Sequence, residues 1–154
     1  MAASPHLLLV ANGNASGLAS APEKIDAARR LLVRAGASVE TRVTQSVEEM
    51  EALLAENADR RVALLGGDGT VHAVANAPGA KPELALLPAG GANNVAHSLG
   101  IPGDLPSAAA VAVDGAARPV DAIAAQSNGR RYLAVEGVSV GFLAVARSFY
   151  RGRT

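Results

Sequence analysis

The sequence predicts an α/β fold, with a parallel sheet and flanking helices followed by the start of a β-rich second domain. Three observations support this prediction. Short apolar runs alternate with amphipathic helical stretches between residues 6 and 99, and polar turns containing glycine follow three of those runs. From about Arg118 the pattern changes to two extended runs around a turn. We therefore expect an α/β domain over residues 1–117 and the first strands of another domain over residues 118–154.

The composition of this 154-residue chain excludes several classes of function. A hydrophobic content of 49% with only 3% aromatic residues favours helices packed on a sheet over an aromatic surface that stacks nucleic-acid bases. Fourteen basic residues balance fourteen acidic ones, so no net field attracts nucleic acid or an anionic membrane. We expect no nucleic-acid partner.

The sequence also indicates a cellular compartment. Cysteine is absent, which excludes disulfides and agrees with a reducing environment. The segment Met1–Pro5 lacks the basic start of a signal peptide, and the apolar run Leu7–Ala11 is too short for a signal core or a membrane span. We expect a cytoplasmic protein.

The first elements alternate between strand and helix. The segment His6–Ala11 is typical of a buried strand, and the polar residues 12–17 form the turn that follows it. Ser20 and Glu23 have the spacing of a capping box, which predicts a helix that ends at Gly36.

A second strand and helix follow in the same order. Alternating apolar residues around Thr41 predict a half-exposed strand. Ser46 and Glu49 repeat the capping-box spacing ahead of an apolar helical stretch.

The next strand ends in a glycine-rich turn. The apolar run Val62–Leu65 leads into Gly66-Gly67-Asp68-Gly69-Thr70, and we expect a helix over Val71–Ala77. Three glycines permit positive φ and close approach to main-chain N–H groups, and the helix start adds a partial positive charge. This combination is suited to binding phosphate.

The carboxylate of Asp68 leaves two interpretations of that turn open. It would repel phosphate unless a divalent cation, a ribose hydroxyl or a structural donor lies between them. Alternatively, the turn is only structural, and Asp68 caps the backbone N–H of Thr70 or Val71.

A third polar turn follows the short apolar run Leu84–Leu87. Residues 88–94 contain two glycines and two asparagines, and a helix through Leu99 is ended by Gly100 and Pro102. Because parallel strands end at the same edge of a sheet, we expect the turns after the first, third and fourth strands to lie together. Beyond them, Ser127-Asn128-Gly129 separates two extended runs and predicts a hairpin, with a helix over Phe142–Tyr150.

Three of these segments resemble the diacylglycerol kinase catalytic domain family, which includes sphingosine kinases and bacterial lipid kinases. The turn 66–70 matches the family's glycine-rich nucleotide loop, and residues 12–17 are similar to its first Asn-Pro-type loop. The segment 87–102 resembles its Leu-Pro-x-Gly-Thr-x-Asn motif. The first motif also occurs in NAD kinases and phosphofructokinases, whereas the last indicates lipid kinases. Asp121 and Gly141-Phe142 resemble the opening of the family's second, β-sandwich domain, so the resemblance implies an incomplete β-sandwich over 118–154.

The resemblance implies a nucleotide pocket with Mg²⁺ near Asp68. The implied nucleotide-binding residues are Asn12, Ser16, Gly17, Gly66, Gly67, Asp68, Gly69, Thr70, Gly90 and Asn93. The implied activity is that of an ATP-dependent lipid kinase, which transfers the γ-phosphate of ATP to the hydroxyl of a diacylglycerol-like lipid at the membrane surface. No lysine follows the glycine turn, so it is not a Walker A loop. The family's general base lies in a second-domain segment without a counterpart here, so we expect little turnover from these residues alone.

Four residues depart from the family's pattern. Gly13 stands in place of the usual proline, Gly91 in place of threonine, Asn94 in place of aspartate and His97 in place of arginine. Two other functions remain open, a non-catalytic nucleotide-binding module and an NAD kinase. The sequence does not determine the oligomeric state, and a homodimer is one possibility.

Overall fold

The computed structural model describes residues 4–15, 18, 21–79 and 81–137. The predicted helix over residues 142–150 lies outside the described residues, as do Ser16, Gly17 and Ser20. Within the described part of the chain, no helix combines the length and the apolar character needed to cross a membrane.

Four parallel strands form the central sheet, as the sequence predicts. They are β1 (His6–Asn12), β2 (Ser38–Thr44), β3 (Arg61–Gly66) and β4 (Glu83–Pro88), arranged in the order β2-β1-β3-β4. The central strands are continuously apolar because helices cover both of their faces, whereas β2 is an edge strand and only half-buried. The chain leaves β1 in one direction to form β2 and returns past it to form β3, which opens a crevice at the ends of β1 and β3.

In the described part of the chain, five helices have full bounds, and they lie on the two faces of this sheet. They are α1 (Glu23–Arg34), α2 (Val47–Glu56), α3 (Asp68–Asn76), α4 (Asn94–Ser98) and α5 (Leu105–Asp114). Side chains of β1 alternate between two cores: Leu7 and Leu9 pack with α1 and α5, and Leu8 and Val10 pack with α2, α3 and α4. The mixed α/β architecture is therefore confirmed.

The Ser46 cap of one predicted capping box is confirmed, and the other predicted box includes a residue outside the described ones. At α2, the Glu49 N–H donates to Ser46 Oγ at 3.1 Å, and the Glu49 carboxylate accepts from the Gln45 N–H at 2.7 Å. At α1, the residue that precedes the helix is Pro22, without a side-chain capping bond, and Ser20 lies outside the described residues. The backbone already turns before Glu23, because the Ile25 N–H donates to the Pro22 carbonyl.

Helix α5 is an element that the sequence analysis missed. Asp104 caps its start by accepting from the Ser107 N–H at 2.9 Å, and a proline occupies its first turn. These signals are present in the sequence, but the buried face consists mainly of alanines such as Ala108 and Ala109, which give a weak hydrophobic period. Small residues suit this position because α5 packs closely against both α1 and the sheet.

The predicted hairpin turn is confirmed. It joins β5 (Ile123–Ser127) to β6 (Arg130–Ala134). Asn128 and Gly129 have φ values of 51° and 74°, the two positive values that a type I′ turn requires. The hairpin forms its own two-stranded antiparallel sheet.

The side chain of Asn76 attaches this hairpin to the end of α3. Its Nδ2 donates to the Leu133 carbonyl at 2.8 Å, and its Oδ1 accepts from the Leu133 N–H at 2.8 Å. The amide therefore pairs with the outer edge of β6 as a neighbouring strand would. A two-stranded sheet is marginal by itself, so this attachment is expected to stabilise it.

We predict that Asn76→Ala releases the hairpin without unfolding the central sheet. The loss of two hydrogen bonds is expected to cost about 1–3 kcal/mol, since each contributes about 0.5–1.5 kcal/mol. Amide hydrogen exchange at Leu133 should accelerate, while exchange in β1 stays unchanged. Asn57→Ala, at the end of α2, is the matched control, and equal effects on Leu133 exchange in both variants would contradict the prediction.

We predict that Asp104 makes stability depend on acidic pH. The backbone N–H of Ser107, and then its side chain, lower the pKa of the Asp104 carboxyl below its usual value. Because the pKa is lower in the folded state, the stabilisation is complete above the unfolded pKa and is lost as the pH falls below about 4 through the folded pKa. Thermal melts should show a weaker dependence on pH between about 2.5 and 5 for Asp104→Asn, which can cap without titrating. An unchanged slope in this variant would refute the prediction.

Candidate functional site

A cavity of about 350 Å³ lies at the edge of the sheet where β1, β3 and β4 end. It occupies the crevice between the ends of β1 and β3, the position where ligands bind in open α/β sheets. Its lining residues are Asn12, Ala15, Leu18, Gly66, Gly67, Asp68, Gly69, Thr70, Ala89, Gly90 and Gly91. The three turns that the sequence analysis placed at one edge thus border the same space.

A larger groove, of about 650 Å³, runs along the outer edge of β4. It is bordered mainly by apolar side chains of the sheet and helices, among them Leu84, Leu86 and Val111. None of the three polar turns borders it. We therefore assign the candidate site to the smaller cavity, because chemistry needs the polar groups as well as the volume.

The first turn is fastened to the neighbouring strand β2. The Gly13 N–H donates to the Thr44 carbonyl at 2.9 Å, and the Asn14 N–H donates to Asn12 Oδ1 at 3.0 Å. A proline at position 13, the residue usual in the family, could not donate the first of these bonds. Gly13 therefore extends the pairing of β1 with β2 to the rim of the cavity.

The glycine-rich segment is built differently from the prediction. Helix α3 begins at Asp68, not at Val71, so Asp68, Gly69 and Thr70 form its first turn. The expectation of positive φ is wrong, because the described glycines with positive φ are Gly36, Gly79, Gly100 and Gly129. The reason for glycine here is steric, and it differs from one position to the next.

Gly66 makes room for a buried threonine. A Cβ on Gly66 would lie 2.6 Å from Thr70 Oγ1 and 2.7 Å from Thr70 Cβ. Thr70 is itself buried, with 5% of its surface exposed, so its side chain has little space into which to move. By contrast, a Cβ on Gly69 would meet no heavy atom within 4 Å, so the fold does not require glycine there.

Gly67 and Gly90 bring two segments into backbone contact. A Cβ on Gly90 would lie 2.7 Å from Gly67 Cα, and one on Gly67 would lie 3.0 Å from Gly90 Cα. Both distances are shorter than ordinary carbon–carbon contact. The segment after β3 and the segment after β4 can therefore form adjoining walls of the cavity only if both residues lack a side chain.

Asp68 connects these same segments through its carboxylate. Its Oδ1 accepts from the Val95 N–H at 3.0 Å, at the start of α4. The predicted alternative, a cap on Thr70 or Val71, is wrong, since both of these N–H groups donate to the Gly67 carbonyl. The structural donor is real, but it belongs to a segment 27 residues further along the chain.

Asn93 holds its own loop closed. Its Oδ1 accepts from the Gly90 N–H at 2.9 Å, and its Nδ2 donates to the Gly90 carbonyl at 2.8 Å. Asn93 has a φ of 52°, a left-handed conformation that asparagine tolerates. It is not among the residues that line the cavity.

The structure explains why residue 94 is asparagine and not the aspartate usual in the family. Its Nδ2 donates to Glu136 Oε1 at 2.9 Å, just beyond β6. An aspartate at position 94 could not donate this bond and would repel the carboxylate of Glu136. The pair gives α4 a second connection, to the residues that follow the hairpin.

The donor set near the cavity suits a metal ion that arrives with its ligand. Among the described residues, no group of three or more histidine, cysteine, aspartate or glutamate side chains could hold a metal by itself. Asp68 lines the cavity, and only its Oδ1 accepts the Val95 N–H, which leaves one oxygen for coordination. Mg²⁺ is commonly bound by one or two carboxylates together with substrate phosphates and waters, so one oxygen of Asp68 fits this pattern.

The structure brings most of the predicted site residues together. Asn12, Gly66–Thr70 and Gly90 border the cavity, Asn93 lies behind Gly90, and Ser16 and Gly17 lie outside the described residues. Their roles as nucleotide and metal ligands stay predictions. Four further residues border the cavity that the predicted site does not include, because small or apolar residues carry no chemical signal: Ala15, Leu18, Ala89 and Gly91.

Three comparisons with known proteins agree with this architecture. The sequence pattern of the diacylglycerol kinase catalytic domain matches residues 6–125. A protein of Klebsiella pneumoniae (strain 342), named "Probable lipid kinase YegS-like", is 38% identical over 128 residues, which are 79% of this chain and 41% of that protein. A protein of the same name from Yersinia pestis (strain Pestoides F) is 35% identical over 136 residues, 83% of this chain and 44% of that protein.

A solved structure also resembles this chain. It is titled "A putative diacylglycerol kinase from Bacillus anthracis str. Sterne", has a TM-score of 0.67 and 26% identity, and is matched over 84% of this chain and 48% of its own length. The chain thus spans less than half the length of each of these relatives. The matched residues include all three turns at the cavity, and the chain therefore belongs to the diacylglycerol kinase catalytic domain family.

Proposed function

We propose that the cavity binds the phosphates of ATP and that this chain provides the nucleotide site of an ATP-dependent lipid kinase. The proposed enzyme transfers the γ-phosphate to the hydroxyl of a diacylglycerol-like lipid. The observation that carries the proposal is the convergence of three strand-end segments on one cavity, in a chain of this family. Phosphoryl transfer depends mainly on positioning and on stabilisation of charge, which such a set of backbone and polar groups can supply.

The start of α3 supports phosphate as the ligand of this cavity. The first N–H groups of a helix have no acceptor within the helix and carry a partial positive charge. Asp68 and Gly69, which begin α3, both line the cavity. A volume of about 350 Å³ lies near the lower end of the range of about 300–1,000 Å³ for ligand pockets, which suits phosphates better than a whole nucleotide.

The single available oxygen of Asp68 supports Mg²⁺ as the accompanying ion. When bound with ATP, Mg²⁺ would supply positive charge that offsets the negative charge of the phosphates. Asp68 Oδ2, Thr70 and the start of α3 are the groups of this chain that would hold the nucleotide and its ion. A metal held mainly by the nucleotide would need no dedicated cluster of protein ligands.

The acceptor and the location are part of the same proposal. The curated relatives are named lipid kinases, which favours a lipid hydroxyl over NAD as the acceptor. A kinase with this acceptor would act as a cytoplasmic protein with peripheral access to the membrane surface. The oligomeric state, which the sequence does not determine, stays open.

We predict that Gly69→Ala weakens the binding of ATP without lowering the stability of the fold. Its Cβ would meet no heavy atom within 4 Å, and alanine is favoured over glycine in helices, so the stability should stay equal or rise by up to about 1 kcal/mol. A methyl group at the cavity should hinder phosphate, so the affinity for ATP should fall by at least about tenfold, or about 1.4 kcal/mol.

Calorimetry and chemical denaturation test this separation in one variant. The matched control is Gly103→Ala, whose Cβ also meets nothing within 4 Å and which does not line the cavity. Unchanged ATP affinity in Gly69→Ala would argue against phosphate at the start of α3.

We further predict that the phosphates, not the base, carry the affinity of this cavity. In calorimetric titrations the chain should bind ATP more tightly with Mg²⁺ than without it, and should bind adenosine at least about tenfold more weakly than ATP. If adenosine binds as tightly as ATP, the phosphates do not lie in this cavity.

The acceptor is tested with ATP labelled at the γ-phosphate. Diacylglycerol vesicles and NAD are offered separately, and label in the lipid supports the proposed kinase. Label in NAD would identify an NAD kinase instead. Little label is expected in the lipid from these residues alone, and binding of ATP with no label at all in either acceptor would favour a non-catalytic nucleotide module.

A further inference from the structure

We infer that Asp68 is a positioning residue, whose carboxylate caps α4 and thereby holds the Gly90 loop against the glycine-rich segment. This inference deepens the proposed function and rests on it, because these two segments are the walls of the proposed phosphate site. It assigns to Asp68 a role that does not require its negative charge. The role is separate from any contact that the second carboxylate oxygen makes with a metal ion.

The need for this cap arises in α4 itself. Asparagine is among the best residues at a helix N-cap, and Asn93 occupies that position. Its side chain is used elsewhere, however, because it pairs with the N–H and the carbonyl of Gly90, and it makes no capping bond. The first turn of α4 therefore has no cap from its own loop.

Asp68 supplies the missing acceptor from a different segment. Its Oδ1 accepts from the Val95 N–H at 3.0 Å, and both groups are at least partly buried. An uncapped N–H at this depth would lose its contact with water without a replacement. The cap thus satisfies a backbone donor and links α3 to α4 at the same time.

The geometry of the loop makes this link decisive for the cavity. Residues 90–93 are closed into a ring by the Asn93 side chain, and the ring joins directly onto α4. Gly90, which belongs to this ring, also contacts Gly67. A Cβ on Gly67 would lie only 3.0 Å from Gly90 Cα. Once α4 is held by Asp68, the ring has little freedom to move away from the glycine-rich segment.

The test compares Asp68→Ala with Asp68→Asn, which keeps a neutral acceptor in place of the carboxylate. In Asp68→Ala, hydrogen exchange at the Val95 and Gly90 amides should accelerate by about fivefold to tenfold, the effect of losing a helix cap of ordinary strength. Affinity for ATP measured without Mg²⁺ should fall by a similar factor. In Asp68→Asn, all three quantities should stay within about twofold of the unsubstituted chain.

A second cap provides the matched control. Asp104→Ala removes the cap of α5, where Asp104 accepts from the Ser107 N–H at 2.9 Å, and Asp104 does not line the cavity. It should accelerate exchange at Ser107 and leave Val95, Gly90 and ATP affinity unchanged. A general loss of stability would instead accelerate exchange at all three amides and lower the affinity for ATP as well.

Three results would overturn the inference. Val95 exchange could be the same in Asp68→Ala as in the unsubstituted chain, or Asp68→Asn could lose as much protection as Asp68→Ala. ATP affinity without Mg²⁺ could also fall equally in both variants, which would assign the effect to charge.

If the unsubstituted chain does not bind ATP, the proposed function fails, whereas exchange at Val95 and Gly90 still decides whether Asp68 positions the loop. If Asp68→Ala does not fold, exchange at Val95 in Asp68→Asn decides it.

Discussion

The contact between the backbones of Gly67 and Gly90 is the constraint on which the cavity depends. These two residues come from segments that follow different strands, and a Cβ on either would lie 2.7–3.0 Å from the Cα of the other. A larger side chain at either position would push the segments apart, because the strands behind them are fixed by the sheet. The shape of the site therefore depends on the absence of two side chains as much as on the polar groups present.

Stability and site geometry come from different interactions in this molecule. The leucines of β1 and β3 are almost completely buried, and each is expected to contribute on the order of 1.5–3 kcal/mol to folding. The polar connections at the site, such as Asp68 with Val95 and Asn93 with Gly90, contribute on the order of 1 kcal/mol each. The hydrophobic cores hold the sheet and helices in place, and the weaker polar bonds determine how the turns are arranged at its edge. A substitution at the site can thus alter binding while the fold persists.

The individual elements show which signals a sequence carries well. Ser46 and Glu49 lie within one turn of helix, and Ser46 accepts the Glu49 N–H as the spacing predicts, so the cap of α2 could be predicted. Helix α5 could not be recognised from its period, because its buried face is mostly alanine and becomes necessary only where α1 and the sheet leave a narrow space. The glycine-rich turn was located correctly, yet the reason for its glycines was wrong. Contact with Thr70 and with Gly90 explains Gly66 and Gly67, and neither contact can be inferred from neighbouring residues.

The sequence by itself determined the alternation of strands and helices, the parallel sheet and the edge at which three polar turns gather. The alternation follows from hydrophobic period and turn residues, which are signals between residues close in the chain. The parallel sheet and its shared edge follow in turn from that alternation. Only the tertiary structure decided what the polar side chains do at that edge. Asp68 caps a helix 27 residues away, Asn93 closes its own loop instead of capping, and Asn94 pairs with Glu136. A hydrogen bond forms only where the fold brings a donor and an acceptor to within about 3 Å of each other. That proximity does not depend on how far apart the two residues are in the sequence.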